Sequence, residues 1–138
     1  MPSKLNPYLS FKDNARAAME FYKSVFGGEL NLMTFGDGGM SQDPSEKDRI
    51  MHGQLETTSG FTLMGSDTPD RMGYKATSGM TVSLSGDNES ELKGYWDKLS
   101  DGATIIEPLV KAPWGDQFGM LADKFGIPWM VNIAGKQG

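Results

Sequence analysis

Cysteine is absent from this chain, and histidine occurs once, at His52. The first absence excludes disulfides and thiolate metal sites. The second leaves any metal site to carboxylates and a single imidazole. No apolar run approaches the roughly 18 residues of a membrane span. The opening stretch, MPSKLNPYLSF, has no long apolar segment of the kind that marks a secretory signal. A basic excess is lacking too: 13 lysines and arginines stand against 18 aspartates and glutamates, a net charge of −5. Binding nucleic acid needs a basic face that neutralises phosphates, so that class is set aside. The expectation is an acidic, soluble protein of the cytoplasm with no nucleic-acid or membrane partner.

What is present suits an ordinary small domain, or two modules sharing a core. The chain has 138 residues, 38% hydrophobic and 22% charged. Ten methionines and 18 glycines are high for this length. Methionine fills irregular cavities with a soft, adaptable side chain.

Apolar periodicity divides the chain into elements. Leu5, Leu9 and Phe11 share one face of a strand over Leu5–Phe11, with Pro7 marking either an edge position or a poorly paired start. Asp13 or Asn14 caps a helix to Phe26, with Ala18, Tyr22 and Val25 as its stripe and Gly27-Gly28 as its stop. Glu29–Phe35, Ile50–Thr57 and Phe61–Ser66 read as strands, the last two joined by a tight turn at Thr58-Ser59-Gly60. Gly36–Lys47 is a polar loop of about 12 residues, a length that marks either a lid or a disordered segment. Met40 is its exposed apolar residue. A polar stretch without apolar periodicity, 69–78, separates a first module (1–68) from a second (79–138).

The second module repeats the first. Met80–Ser85 is a strand. Asn88 caps a helix with Glu91 at capping-box spacing, and Leu92, Tyr95, Trp96 and Leu99 form its stripe. Gly102 ends it. Ala103–Val110 follows, then a KAPWGD turn, then a hairpin of Gln117–Ala122 and Ile127–Ile133. Laying Asp13 on Asp87 also lays Tyr22 on Trp96, Val25 on Leu99 and Gly28 on Gly102. A second offset lays Leu55 on Leu121, Gly60 on Gly126 and Met64 on Met130. Caps, stops and turns agree as well as stripes, which is the mark of a duplicated supersecondary unit.

The expected fold class is therefore α+β: two tandem βαβββ modules forming a curved mixed sheet around a cavity, with helices on the convex side. Leu5/Leu9/Phe11, Phe61/Leu63, Met80/Val82/Leu84 and Ile127/Trp129/Val131/Ile133 are the faces that lie under helices. By alternation the opposite faces line the cavity. They carry Asn6, Tyr8 and Ser10; His52, Gln54 and Glu56; Thr62, Met64 and Ser66; Thr81 and Ser83; Phe118 and Met120; and Met130 and Asn132. Apolar walls with a few polar groups describe a small-molecule pocket, and a filled interior is the alternative.

Three stretches, PYLSFKDNARAAMEFYKSVFGGEL, MHGQLETTSGFTLMGSD and WGDQFGMLADKFGIPWMVN, together with the helix motif YWDKL, span nearly the whole chain in order. In them the chain resembles the vicinal-oxygen-chelate superfamily (glyoxalase, bleomycin resistance, dioxygenase) and, within it, the PhnB-like branch. The terminal DxFGxxW-type hairpin is the specific part. Metal-dependent relatives carry a His or Glu ligand on the first and last strand of each half. The resemblance places those positions at Asn6, Met64, Thr81 and Met130, with Met80 as the alternative to Thr81. Thioethers and a hydroxyl do not hold a hard or borderline divalent cation, so the expected metal set is none and the expected cofactor none. Similar sequences often carry a demethylubiquinone methyltransferase label, yet no methyl-donor or dinucleotide fingerprint stands in this sequence. The resemblance also implies a homodimer, with modules paired within a chain or swapped between chains.

His52 shares a strand face with Gln54 and Glu56, which leaves three roles open: general base near a carboxylate, ligand of a displaced metal with Glu56, or structural hydrogen-bonding residue. Trp114 either caps the pocket or anchors its turn. Trp129 is expected in the core. Tyr8, Gln54, Trp114, Phe118, Met120 and Asn132 complete the expected cavity lining. Two functions follow: a non-catalytic protein that sequesters an unidentified small molecule, or a glyoxalase- or dioxygenase-type lyase or oxidoreductase with a displaced or absent metal, using His52 and Glu56.

Overall fold

The computed structural model describes residues 3, 5–39, 47–68, 74–75 and 79–135. Residues 40–46 of the loop read above as lid or disordered, Met40 among them, and most of the 69–78 connector lie outside the described residues. The chain divides into two compact units, Met1–Ala76 and Thr77–Gly138. Each is a βαβββ module with one four-stranded mixed sheet. Among the described residues no helix is long and apolar enough to cross a membrane.

In the first unit β1 (Tyr8–Phe11), α1 (Ala15–Phe26), β2 (Glu29–Thr34), β3 (Ile50–Glu56) and β4 (Thr62–Asp67) follow one another. The sheet order is β1-β4-β3-β2, with β1 parallel to β4 and the other pairs antiparallel. Helix α1 packs on β2, β3 and β4. Ala15, Ala18, Met19, Tyr22, Val25 and Phe26 are its buried stripe. Two glycines paired across β3 and β4, Gly53 and Gly65, let it come close. A Cβ on Gly53 would stand 2.9 Å from Leu32 and 3.3 Å from Met19, and one on Gly65 3.0 Å from Phe11 and 3.3 Å from Met19.

The start of α1 departs from the sequence reading. Asn14 occupies the cap position but its side chain makes no capping bond. The buried carboxylate of Asp67, at the end of β4, does that work instead. One oxygen accepts the Ala15 N–H at 3.0 Å and the other the Ile50 N–H at 2.9 Å. Asp13 sits at φ 67°, in the left-handed region, and its carboxylate pairs with Arg49 at 2.5 Å.

In the second unit β5 (Val82–Gly86), α2 (Glu89–Leu99), β6 (Thr104–Lys111), β7 (Gln117–Ala122) and β8 (Pro128–Ile133) repeat the order, giving the sheet β5-β8-β7-β6. Here the expected cap holds: Asn88 Oδ1 accepts the Glu91 N–H at 3.1 Å. Leu92, Tyr95, Trp96 and Leu99 are buried, as the stripe requires. Gly119 is the counterpart of Gly53, and a Cβ there would stand 2.8 Å from Trp96. Trp129 is 1% exposed. Its indole N–H donates to Asp123, whose carboxylate also takes the Phe125 and Ile127 amides of the hairpin turn.

The helix-side faces are buried as read at Leu9, Phe11, Leu63, Leu84, Ile127, Trp129, Val131 and Ile133. Three residues correct that reading: Leu5, Met80 and Phe61 are exposed. The cause is the same in both modules. Extending the β1–β4 register backwards sets Leu5 opposite Phe61, and extending β5–β8 sets Met80 opposite Ile127. Both opposite residues spend their backbone groups inside hairpin turns: Phe61 on Thr57, and Ile127 on Asp123. The first strand of each module therefore starts late, at Tyr8 and Val82. Phe61 lies outside β4 and meets Phe26 edge-on.

Candidate functional site

With α1 covering one face of the first sheet, the side chains that alternate to the other face stay accessible. Among these are Tyr8 and Ser10 on β1, Glu29, Asn31 and Met33 on β2, His52, Gln54 and Glu56 on β3, and Thr62, Met64 and Ser66 on β4. Register sets Met33 beside His52, Gln54 beside Met64, and Glu56 beside Thr62. Tyr8 pairs with Met64 and is not adjacent to β3. Its ring nevertheless reaches across β4, and its hydroxyl lies 3.1 Å from His52 Nδ1. The other ring nitrogen, Nε2, is 3.4 Å from Gln54 Oε1. Gln54 Nε2 donates to Glu56 Oε1 at 2.6 Å, and Thr62 Oγ1 donates to Glu56 Oε2 at 2.8 Å.

His52 and Glu56 are thus not in contact. Four residues along a strand span about 13 Å, and Gln54 bridges the interval. The partner of His52 that the sequence did not reveal is Tyr8, two strands away. Its face was readable from alternation, but its reach over β4 was not.

The free face of the second sheet is more apolar. Met120 pairs with Met130 and Phe118 with Asn132, while Ser83 lies beside Met130 and Ser85 beside Asn132. Trp114 is 65% exposed in the β6–β7 turn and meets Phe118 edge-on, ring centroids 6.1 Å apart. Asn132 donates its side-chain amide to Asp116 at 3.0 Å, and Gly135 N–H donates to the other oxygen at 2.8 Å. The Asn132 and Gly135 hydrogen bonds hold the Asp116 carboxyl below its ordinary value, against a smaller opposing effect of burial and with a further small contribution from Trp114. Asn132 keeps its carbonyl oxygen to offer as an acceptor.

The positions assigned by resemblance to metal ligands fall as follows. Met64 is on β4 and Met130 on β8, each on the face away from the helix. Asn6 precedes β1 and is half-buried, and Thr81 precedes β5 and is exposed. Among the described residues, no three His, Cys, Asp or Glu side chains gather as a metal ion would need. A separate cleft at the start of α1, between Arg16, Asp48 and Arg49, was not foreseen. Two of its three acidic residues, Asp13 and Asp67, are already engaged by Arg49 and by backbone amides.

Comparison with known proteins agrees with this architecture. Residues 3–132 match the model of the family described as 3-demethylubiquinone-9 3-methyltransferase. The chain is similar to protein PA1353 from Pseudomonas aeruginosa, with 36% identity, a TM-score of 0.85, and coverage of 98% of this chain and 100% of that one. It is similar to a putative 3-demethylubiquinone-9 3-methyltransferase, PhnB protein, from Bacillus cereus, with 25% identity, a TM-score of 0.74, and coverage of 96% and 100%. At the level of fold alone it matches a glyoxylase/bleomycin resistance protein/dioxygenase domain from Frankia sp. EAN1pec, at 14% identity and a TM-score of 0.68 over 100% of this chain and 95% of that one. Two βαβββ modules, the matched family model and these likenesses lead to one assignment: the chain belongs to the PhnB-like family described as 3-demethylubiquinone-9 3-methyltransferase, and its fold is that of glyoxalase/bleomycin resistance/dioxygenase domains.

Proposed function

We propose that this protein binds a small organic molecule on the helix-free faces of its sheets, without the divalent metal used by catalytic relatives of its superfamily. The observation that carries the reading is the chemistry at the inherited ligand positions. Met64 and Met130 offer thioethers, Thr81 a hydroxyl and Asn6 an amide oxygen, a set that does not suit zinc, iron, manganese or nickel. What stands there instead, on each sheet taken by itself, is binding-surface chemistry: apolar Met64 with the polar Tyr8 and His52 on the first, and apolar Met120, Met130 and Phe118 with the polar Asn132 on the second. Methionine-rich walls repack around ligands of different shape.

A thermal-shift panel tests this. Apolar and aromatic organic compounds, divalent cations and S-adenosylmethionine are compared on the same protein. The reading expects a rise in melting temperature with one or more organic compounds. A rise with a divalent cation alone would overturn it, and a rise with S-adenosylmethionine would favour the methyl-transfer activity in the family's description.

The same reading places the protein in the cytoplasm as a homodimer. Strand β6 supports the dimer: it forms a sheet edge and exposes Ile105, Ile106 and Val110. An apolar edge of this kind suits a second copy. Light scattering after size exclusion, giving a monomer mass at all concentrations, would remove that part.

A further inference from the structure

On the free face of the first sheet, five side chains form one hydrogen-bonded line, and the chemistry of its members fixes the direction of each bond. A carboxylate only accepts, so Glu56 takes protons from Gln54 Nε2 at 2.6 Å and from Thr62 Oγ1 at 2.8 Å. The Gln54 amide nitrogen is thereby committed, and its oxygen is turned to His52 Nε2 at 3.4 Å. An amide oxygen cannot donate, so in the neutral ring Nε2 carries the proton and Nδ1 is bare. Tyr8 lies 3.1 Å from Nδ1 and donates its hydroxyl proton there. With that proton turned inward, the Tyr8 oxygen keeps its lone pairs for a molecule lying on the sheet, and the residue is 48% exposed.

We infer that Tyr8 and His52 form a proton-accepting pair for a ligand that carries a weakly acidic hydroxyl, a phenol or an enol. Gln54 and Glu56 are the positioning residues that hold His52 in the Nε2–H tautomer. The inference rests on the reading that this face holds a small organic molecule, and it names the class. In the step, the ligand O–H bond breaks and its proton forms a new O–H bond on Tyr8 Oη. The original Tyr8 O–H bond breaks as its proton passes to His52 Nδ1. The ligand is left as an oxyanion, Tyr8 is neutral again, and His52 is an imidazolium. No electrons are gained or lost by any partner. The imidazolium Nε2–H points to Gln54 Oε1, and the Gln54 amide donates in turn to the Glu56 carboxylate, so the bridging amide dipole is aligned between the positive ring and the negative group. An aliphatic alcohol holds its proton too tightly for this transfer. A carboxylic acid arrives at neutral pH already ionised, with no proton to give.

His52 is the only histidine, so protein labelled with [15N]histidine gives one pair of ring signals. The expected spectrum is that of the Nε2–H tautomer, and Gln54→Leu is expected to shift the population toward Nδ1–H. An Nδ1–H tautomer in the unsubstituted protein, or no change in Gln54→Leu, would overturn the inference. The ligand arm uses 4-nitrophenol, whose ionisation is visible by absorbance, beside 4-nitroanisole, which lacks the proton. At a fixed pH where free 4-nitrophenol is mostly un-ionised, binding is expected to produce the 4-nitrophenolate absorbance and to move the His52 ring signals to those of imidazolium. Tyr8→Phe and His52→Gln are expected to abolish that ionisation and to weaken 4-nitrophenol about tenfold, the loss of one charge-assisted hydrogen bond, with 4-nitroanisole unchanged. If both compounds bind alike and 4-nitrophenol keeps its proton, the pair is refuted while ligand binding stands. If neither binds, both fall together.

Discussion

Replacing Asp67 by Asn probes the joint that sets α1 against the first sheet. The carboxylate is 2% exposed and accepts two backbone amides, Ala15 at 3.0 Å and Ile50 at 2.9 Å. Asparagine keeps the shape but turns one oxygen into an NH2 group, so one of the two amides meets a donor. Losing a hydrogen bond to a charged group costs about 1.5–3 kcal/mol. Losing the negative charge beside the first turn of α1 adds about 0.3–1 kcal/mol. The expected destabilisation is therefore about 3 kcal/mol. Tryptophan fluorescence is the wrong probe, because Trp96, Trp114 and Trp129 all lie in the second unit. Urea denaturation followed by far-ultraviolet circular dichroism measures the loss. Amide exchange at Ala15 and Ile50 locates it, as roughly a hundredfold fall in protection. Asp13→Gly is the control. It gives up an ion pair to Arg49 at a half-exposed site, worth about 0–1 kcal/mol, and relieves a φ of 67° that glycine adopts freely. If Asp67→Asn lies within about 0.5 kcal/mol of the unsubstituted protein, the account of this joint is wrong.

In the second unit, Asp123→Ala strands the Trp129 indole N–H and two turn amides, and should cost about 3 kcal/mol or more with a change in tryptophan emission; unchanged emission and stability would count against it. Gly65→Ala pushes a methyl to 3.0 Å from Phe11 and 3.3 Å from Met19, so urea titration should show a loss of about 1–3 kcal/mol, and a stabilised variant would refute the packing argument. Asp116 has its carboxyl lowered from 3.8, chiefly by Asn132 and then by Gly135. Its contribution is therefore complete above that value and is lost only as pH falls through the lower folded-state value. The Asn132 side-chain amide signals should titrate with a midpoint below the ordinary aspartate value; a midpoint at or above it would contradict the hydrogen-bond assignment.

The duplicated module is readable because both copies repeat local signals: Gly28 and Gly102 after the helices, Gly60 and Gly126 at the hairpins, and Tyr22/Val25 and Trp96/Leu99 in the helix stripes. Trp129 was readable as core from alternation alone. The strand starts were not, since Leu5 and Met80 continue the apolar alternation past the point where the partner strand has turned away. The Asp67 joint was missed although a signal existed. Asp67 shares its face with Leu63 and Gly65, and a carboxylate on a helix-covered face needs donors. Asp123 falls in the turn between Gln117–Ala122 and Ile127–Ile133, and the unmet N–H of a buried tryptophan is the clue to its second role. At the candidate site, alternation placed Tyr8, His52, Gln54 and Glu56 on one face correctly. The pairing of Tyr8 with His52 depends on a rotamer that crosses a whole strand, which no pattern along the sequence encodes.

The claim on which the functional account rests is that thioether, hydroxyl and amide side chains have replaced the ligands of the superfamily metal. Native mass spectrometry of the full chain, purified without added metal and then dialysed in turn against zinc, nickel and manganese, tests it most directly. The account predicts the mass of the polypeptide alone, or of its dimer, in every case. A stoichiometric cation that persists after dialysis, and that is lost in Met64→Ala or Met130→Ala, would contradict it.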